Sequence, residues 1–489
     1  MRIIILLVCM CFILTGCTSL PITPDEPLAS LPPSTVEHVA PIGDAQTVFT
    51  ETTTLYLPHH GSNQLEKIEV DVQHSLANPK PESVVRALLA YPGDMQVRSL
   101  GGDVRLSLFG NNPVESSAGI VTVNLSASAL RLEKPALYLL CQAITNTLTS
   151  LPGIARVNVL IADYPIGLDI ANSLPMGTLA YSHALDVVSV YEQRLTRRIT
   201  PDSPTEQELL VEATLYFPIT NAIGIMSEVR TCAFPTQEFA DMARVLLTEL
   251  SSGSQTGLQT PVLTVLADMQ LSPPLLRYDS EAGGNVVVFH FSHTYYDMLT
   301  AHQLQKEQAL ASLTYTFCTF FPNIVGVEVA VGKEKAEKMH LRNDFSECLY
   351  DNATLYFPTE NGLQPVQHIM PYHQVNNPRY LLMELAKGPQ LYDGLPGLLP
   401  ITPPNAIADE DVLGIALVDD ELVVNVALSF LNIGETMNDI EEKYFVYALV
   451  NTFCAIPPIK NVCFFVGGQQ FDGFTGTVDW RGDFLPYPQ

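Results

Sequence analysis

TLYFP at Thr354–Pro358 recurs as TLYFP at Thr214–Pro218 and as TLYLP at Thr54–Pro58. A second phrase follows each copy about a hundred residues later: NTLTSLPGI ending at Ile154, TFCTFFPNI ending at Ile324 and NTFCAIPPI ending at Ile459. Two phrases repeated in the same order indicate a tandem array of one domain, with copies too long to be solenoid units. The function is therefore expected to rest on a module that occurs three times.

The third copy shows the clearest order of elements. TLYFP is a β-branched and aromatic strand that ends at Pro358, and Gln364–Ile369 is a second short strand. Asn377 followed by proline resembles a helix N-cap, and Gly388 ends the segment. These signals predict a helix over Arg379–Lys387.

A hairpin and a longer helix follow in the same copy. Val412–Val418 and Glu421–Phe430 flank the turn Asp419-Asp420, and the second segment alternates at period two, with one packed face and one mixed face. Apolar residues then recur at helical spacing until Pro457-Pro458, after which Val462–Val466 returns as a strand. The predicted helix face consists of Phe445, Ala448, Leu449, Thr452, Phe453 and Ile456.

The predicted fold class is α+β, with three tandem small domains in the order ββ-α-ββ-α-β, each a short mixed sheet packed by two helices. We place the domains at residues 51–182, 210–346 and 351–489. The same order is traced in the first copy through Val104–Phe109, Ile120–Ser126 and Val157–Ile161, and in the second through Val286–Phe291 and Val327–Val331.

The N-terminus predicts export. Ile3–Leu14 is an apolar run of 12 residues, too short to span a bilayer but typical of a signal-peptide core. The run ends in Leu14-Thr15-Gly16-Cys17, a sequence typical of a bacterial lipobox, so residues 1–17 are expected to be a lipoprotein signal peptide. An ordinary secretory signal with a chance cysteine, or an uncleaved anchor, are the alternatives.

Lipidation at Cys17 would set the location of the mature protein. A diacylated cysteine supplies the two chains that stable anchoring needs, so we expect an extracytoplasmic protein anchored to the bacterial cell membrane. Residues 18–50 contain six prolines and little hydrophobic periodicity, which predicts a semi-extended tether of up to roughly 100 Å.

Charge narrows the class of partner. The chain has 25 basic and 52 acidic side chains, for a net charge of −27. Such a surface repels phosphate backbones, which excludes nucleic-acid binding as a main role.

Six cysteines remain after the signal and Cys17 are set aside: Cys141, Cys232, Cys318, Cys348, Cys454 and Cys463. An even number outside the cytoplasm permits disulfides, but the positions do not match between the copies, so their disulfide status stays open. Cys318 and Cys454 lie on apolar helix faces, where a buried free thiol is the usual explanation. No C-x-x-C occurs, so we do not expect a structural zinc site.

Together these features resemble a GerMN domain, the module of spore-germination lipoproteins. The residues that carry the resemblance are TLYFP, the proline-started helix ending in Lys387-Gly388-Pro389, the hairpin strand VVNVALSF, and VNTFCAIPPIKNV. It is strongest over residues 352–470, more diverged over 212–332 and weakest within 52–162. The resemblance implies lipoproteins without known catalysis that take part in envelope assembly during sporulation and germination.

Few residues suggest chemistry. The close histidine pairs are His59-His60 and His290 with His293, and the acidic groups are Asp409-Glu410-Asp411 and Asp419-Asp420-Glu421. The acidic groups lie at turn positions that favour aspartate for backbone reasons. None of these sets recurs at an equivalent position in another copy, so we expect no catalytic, cofactor or metal site.

A further short sequence recurs beyond the closing strands of two copies. WRGDF at Trp480–Phe484 contains Arg481-Gly482-Asp483, an integrin-binding tripeptide, and LRNDF at Leu341–Phe345 has the same Arg, Asp and Phe without the glycine. A structural turn accounts for both copies better than adhesion does.

The sequence favours a non-enzymatic, lipid-anchored envelope scaffold that assembles with itself or with envelope proteins in sporulation or germination. Two alternatives stay open. A peptidoglycan hydrolase would use the acidic turns, with Asp411 or Asp420 as the test residues, and a solute-binding lipoprotein would need a deep cleft between two large lobes.

Overall fold

The computed structural model describes residues 39–44, 48–75, 79–108, 112–169, 173–196, 209–220, 222–255, 272–336, 338–389, 397–403, 406–435 and 437–487. Cys17, the predicted signal peptide and most of the predicted tether lie outside these residues. No helix in the described part is long and apolar enough to cross a bilayer.

Two compact units are described one at a time. The two-repeat unit comprises residues 48–352 and 369–375, and the third-repeat unit comprises residues 353–368 and 376–489 with the residues before 48.

The elements of the first repeat are β1 (Phe49–Pro58), β2 (Leu65–His74), α1 (Lys80–Ala90), β3 (Val114–Ser117), β4 (Ile120–Leu125), α2 (Lys134–Thr149), β5 (Arg156–Ile161), β6 (Tyr164–Pro165) and α3 (Val187–Thr196). Those of the second are β7 (Leu209–Pro218), β8 (Ile225–Phe234), α4 (Phe239–Ser251), β9 (Leu275–Asp279), β10 (Gly284–Phe291), α5 (Tyr295–Ala301), α6 (Lys306–Phe320), β11 (Ile324–Val331) and β12 (Met339–His340). Those of the third are β13 (Tyr350–Thr359), β14 (Gly362–Pro371), α7 (Pro378–Ala386), β15 (Val412–Val418), β16 (Glu421–Val426), α8 (Leu431–Gly434), α9 (Asp439–Cys454), β17 (Asn461–Val466) and β18 (Gln469–Gln470).

Each repeat contains two sheets. The first two strands pair as a separate two-stranded sheet, and the later strands form a four-stranded sheet in the orders β3-β4-β5-β6, β12-β11-β10-β9 and β15-β16-β17-β18. The central pair is parallel and the outer pairs are antiparallel. Parallel strands need a long crossover, which α2, α6 and α9 provide. The α+β class and the order ββ-α-ββ-α-β are confirmed, with a short final strand added to each sheet.

The two repeated phrases meet in every repeat. The tyrosine N–H of TLYxP donates to a threonine hydroxyl of the second phrase, which lies in the long helix. The three bonds are Tyr56 to Thr147 at 2.9 Å, Tyr216 to Thr316 at 3.1 Å and Tyr356 to Thr452 at 3.0 Å. The hydroxyl therefore satisfies a strand donor at the place where the hairpin packs on the helix, which explains why both phrases recur.

The predicted helix face of the third repeat is confirmed. Phe445, Ala448, Leu449, Thr452 and Phe453 are completely buried on α9. The helix starts with a capping box in which Asn438 accepts backbone N–H groups and Glu441 bonds back to the N–H of Asn438.

The predicted strand Glu421–Phe430 is too long. Strand β16 ends at Val426, and Leu428–Phe430 forms a 3₁₀ turn. Phe430 still reaches the core, where its ring lies 5.6 Å from that of Phe445. The period-two pattern of buried residues therefore continues past the end of the strand, because Phe430 is buried at the position that this period predicts.

The main strand pairing of the first-repeat hairpin differs from the prediction. Strand β4 pairs over four residues with Val114–Ser117. Val104–Phe109, of which Phe109 lies outside the described residues, meets only the end of β4, through a bridge between Leu106 and Leu125 and a hydrogen bond from the Ser107 N–H to the Asn124 carbonyl at 2.9 Å. Ala118 and Gly119 both have positive φ, so they form a tight turn that places Ser117 opposite Ile120.

Candidate functional site

The outer face of each four-stranded sheet, the face turned away from its long helix, is the candidate functional surface. In the first repeat Val121, Val123 and Val157 point into the core with α2, while Thr122 and Asn158 lie on the outer face and bond each other at 3.3 Å. Alternation along the strands fixes this division.

The outer face of the first repeat holds the hairpin of the second. Asn158 Nδ2 donates to Thr214 Oγ1 at 3.0 Å, and Thr178 Oγ1 lies 2.8 Å from the same hydroxyl. The Arg156 guanidinium donates to the Glu212 carboxylate at 2.9 Å. Because Thr214 begins the second TLYFP, this phrase supplies an inter-repeat contact as well as a strand.

A buried ion pair also connects the first repeat with the second. Glu115 on β3 accepts from Arg342, which follows β12, and the Arg342 guanidinium lies 4.4 Å from the centre of the Tyr315 ring. Glu115 and Arg342 are 2% and 4% exposed. Burial raises the pKa of the Glu115 carboxyl, and the adjacent guanidinium opposes that rise.

In the third repeat the outer face carries an acid–thiol cluster of Glu421, Cys463 and Asp483. Their donor atoms lie within 4.8 Å of one another, and all three residues are buried. Strand register and the bridges to the closing strand place them where the first repeat has Ile120, Asn158 and Thr178 and the second has Val286, Glu328 and Met339. The cluster therefore belongs to one repeat only.

The pKa of the Glu421 carboxyl in this cluster lies above its usual range. Burial, the hydrogen bond with Asp483 and the charge of Asp420 raise the pKa of Glu421 to about 8. Burial and the two nearby carboxyl groups raise the pKa of the Cys463 thiol to about 12. A thiol that stays protonated is a poor nucleophile, so the cluster does not favour covalent catalysis.

The cluster is also the one group of three metal-ligating side chains within the described ranges. Two carboxylates and a thiolate are donors that zinc accepts. Sequence reasoning had placed Glu421 in a solvated turn and had missed Cys463 and Asp483 as its neighbours.

The remaining acidic candidates, Asp411 and Asp420, make local hydrogen bonds and an ion pair. Asp411 lies in a 3₁₀ turn and accepts the Ala408 N–H at 2.8 Å and the Ser429 hydroxyl. Asp420 pairs with Lys460 at 2.6 Å. Strand β15 separates Asp411 from Asp420 by roughly 25 Å at 3.3 Å per residue, whereas glycosidase carboxylates lie about 5–9.5 Å apart. These two residues do not form a hydrolytic pair.

The histidine candidates do not gather ligands. His60 Nε2 lies 2.9 Å from the Asp94 carbonyl oxygen, and His59 Nδ1 lies 3.4 Å from the Ser62 hydroxyl. His290 is half-buried on β10, and His293 follows that strand. Within the described ranges, none of these histidines belongs to a three-ligand group.

The tripeptide Arg481-Gly482-Asp483 forms a structural turn. Asp483 is 6% exposed, and Arg481 pairs with Asp479 at 2.9 Å. Phe484 and its counterpart Phe345 are both buried. The tripeptide thus does not present its carboxylate at the surface.

All six described cysteines are free thiols. Cys318 is buried and Cys454 half-buried, and burial raises the pKa of both thiols to about 12.

Glu421→Gln is expected to remove a pH dependence from the metal-free third-repeat unit. The folded pKa of about 8 exceeds the ordinary 4.5, so the folded state binds this proton more tightly. The stabilisation is complete below the ordinary pKa and is lost as pH rises through about 8, by at most about 5 kcal/mol. Urea unfolding followed by Trp480 fluorescence, with Glu410→Gln at an exposed position as control, measures it. Equal pH profiles for wild type and Glu421→Gln would contradict the raised pKa of Glu421.

These features define a class: tandem α+β repeat proteins in which one repeat's sheet holds the next repeat's hairpin. Residues 54–167 and 354–472 match the family model described as Germane: Sporulation and spore germination. The segments of the first and third repeats belong to this family, and the resemblance to GerMN domains is confirmed. The chain therefore carries domains of a sporulation and spore-germination family. The second repeat lies outside the two matched segments.

Two solved structures are similar to this chain. One is described as "Tandem GerMN domains of the sporulation protein GerM from Bacillus subtilis", with 18% identity, 60% of this chain and 97% of that chain covered, and a TM-score of 0.24. The other is described as "Putative Lipoprotein from Clostridium perfringens", with 21% identity, 28% and 87% of the two chains covered, and a TM-score of 0.19. No curated protein matches.

Proposed function

We propose that this protein is a lipid-anchored, non-enzymatic scaffold of the bacterial envelope that acts in sporulation or spore germination. The joint between the first two repeats carries the proposal. There, the outer face of one sheet binds the hairpin of another repeat through Asn158, Thr178 and Thr214. A module that binds its own kind through repeated backbone elements is suited to assembly with further copies or with envelope proteins.

The distribution of polar side chains also supports a scaffold. Residues that recur in all three repeats, such as the tyrosine and threonine of the two phrases, hold the fold together. Among the residues that the structure describes, the acid–thiol cluster occurs once, and Asp411 and Asp420 lie too far apart to act as a hydrolytic pair.

Assembly is tested on the full chain in detergent. Light scattering and pull-down from membranes are expected to give a self-associated protein or a complex with envelope proteins. A strictly monomeric protein without an envelope partner would overturn the scaffold role. Release of muropeptides from purified wall, abolished by Asp411→Ala or Asp420→Ala, would instead support a hydrolase.

Anchoring is a separate expectation. Cys17→Ala is expected to abolish labelling by palmitate and to release the protein from membranes, because a diacylated cysteine supplies two buried chains. Labelled growth and membrane fractionation measure both effects, and Cys11→Ala in the apolar run is the matched control. Retention of the label in Cys17→Ala would show that another residue carries the lipid.

A further inference from the structure

Residues 39–44, called the strap below, lie on the outer face of the third sheet. Ala40 packs against Val423, Cys463 and Phe465. The Asn425 side chain donates to the Pro41 carbonyl at 2.9 Å. The outer-face residues Val423 and Asn425, which the strap contacts, are buried like the inward residues of β16, although this outer face was expected to be mixed.

The end of the strap is held by an ion pair and by backbone hydrogen bonds. Arg379 donates to both carboxylate oxygens of Asp44, at 2.7 and 3.0 Å, and the Ile415 N–H donates to Asp44 at 3.1 Å. The hydrogen bond from Arg379 lowers the pKa of Asp44. The Gly43 N–H donates to the Leu413 carbonyl at 2.8 Å.

Gly414 provides the room that the strap needs. A Cβ at this position would lie 2.6 Å from the Pro41 carbonyl oxygen and 2.7 Å from that of Gly43, closer than side chains approach. Its φ is not in the left-handed region, so the requirement for glycine comes from the close approach of the strap rather than from backbone strain.

The strap occupies the place that another repeat takes in the first domain. Asn158, which binds Thr214 of the second repeat, is the equivalent of Cys463, which contacts Ala40. The strap is held less fully than a hairpin, since the side chains of Val39 and Ile42 are 86% and 94% exposed.

We propose that residues 39–44 act as a cap on the outer face of the third repeat's four-stranded sheet. The cap belongs to the same chain and lies in the position where the hairpin of a following repeat would lie. The cap closes a face that includes Val423 and Phe465 and so protects it from pairing with other chains. A second consequence rests on the proposed anchoring at Cys17. The cap then also holds the third repeat within about 75 Å of the membrane, because Val39 lies 22 positions after Cys17 in the sequence.

Gly414→Ala in the full-length protein tests the cap. The methyl group should displace the strap, so that maleimide labels Cys463 at least about tenfold faster and the Gly43 amide exchanges its hydrogen faster. Mass spectrometry identifies the labelled peptide, and the buried Cys141 of the other unit is the internal reference. Gly102→Ala is the matched control, because no heavy atom lies within 4 Å of the added Cβ and its φ is ordinary.

Asp44→Ala keeps the test decisive if Gly414→Ala disturbs the fold, which Trp480 fluorescence reports. This variant removes the ion pair to Arg379 from the strap side only and should also speed the labelling of Cys463. Unchanged labelling and exchange in both variants would overturn the cap. Repeating the measurement in Cys17→Ala separates the two proposals, since the cap should persist when the anchor is lost.

Discussion

Arg342→Ala is expected to lower the free energy of unfolding of the two-repeat unit by about 3–5 kcal/mol, because it leaves the Glu115 carboxylate buried without its cation. It also removes the guanidinium from the Tyr315 ring. Since the pair joins the first repeat to the second, the loss should fall on the joint. Urea unfolding followed by far-ultraviolet circular dichroism measures it, while Trp480 fluorescence reports the third-repeat unit separately.

Arg481→Ala provides a matched control. Arg481 has the same place in WRGDF as Arg342 has in LRNDF, but its side chain is 55% exposed and its partners are Asp472 and Asp479. We expect a change within about 0.5 kcal/mol, as for most exposed pairs. The double variant Glu115→Leu with Arg342→Met should recover much of the loss, because it removes both buried charges. A cost below about 1 kcal/mol for Arg342→Ala would contradict a buried inter-repeat pair.

Glu442→Ala is expected to destabilise the third-repeat unit by about 3–5 kcal/mol. Glu442 on α9 is completely buried and accepts the N–H groups of Phe474 and Thr475 and the Trp480 indole N–H, at 2.8, 2.9 and 2.8 Å. Its removal leaves these donors without an acceptor in an aromatic core. Trp480, the single tryptophan of the chain, should shift its emission to the red at lower urea.

Two further variants distinguish the loss of the buried acceptor from a general effect of removing a carboxylate near the helix. Glu442→Gln keeps one carbonyl acceptor and should lose less stability than Glu442→Ala. Glu435→Ala removes an exposed carboxylate just past α8 and should leave the Trp480 transition within about 0.5 kcal/mol of wild type. If Glu442→Ala and Glu435→Ala unfold alike, the carboxylate does not hold the segment that contains Trp480.

Local patterns could be predicted wherever one element contains the whole signal. The strand Val412–Val418 was predicted at its observed bounds, and the buried face of α9 was predicted from spacing alone. The first-repeat hairpin was misplaced because the apolar residues of Val104–Phe109 resemble a strand as well as Val114–Ser117 does. The tight turn at Ala118-Gly119 makes Val114–Ser117 the main partner of β4.

The candidate surface shows the limit of such patterns. Glu421 is adjacent to a turn, and its sequence neighbours predict solvent exposure. Its burial depends on Cys463, which β16 meets only through the helical crossover, and on Asp483 beyond the closing strands. No local period connects these three residues.

The sequence by itself determined the order of the elements and the inward helix faces, because hydrophobic periodicity and turn residues act over a few positions. Only the tertiary structure decided which chain segments cover the outer faces. Thr214 reaches Asn158 from another repeat, and Pro41 meets Asn425 across 384 positions of sequence. Such contacts depend on strand register and on the space left by residues such as Gly414, and these are properties of the packed molecule.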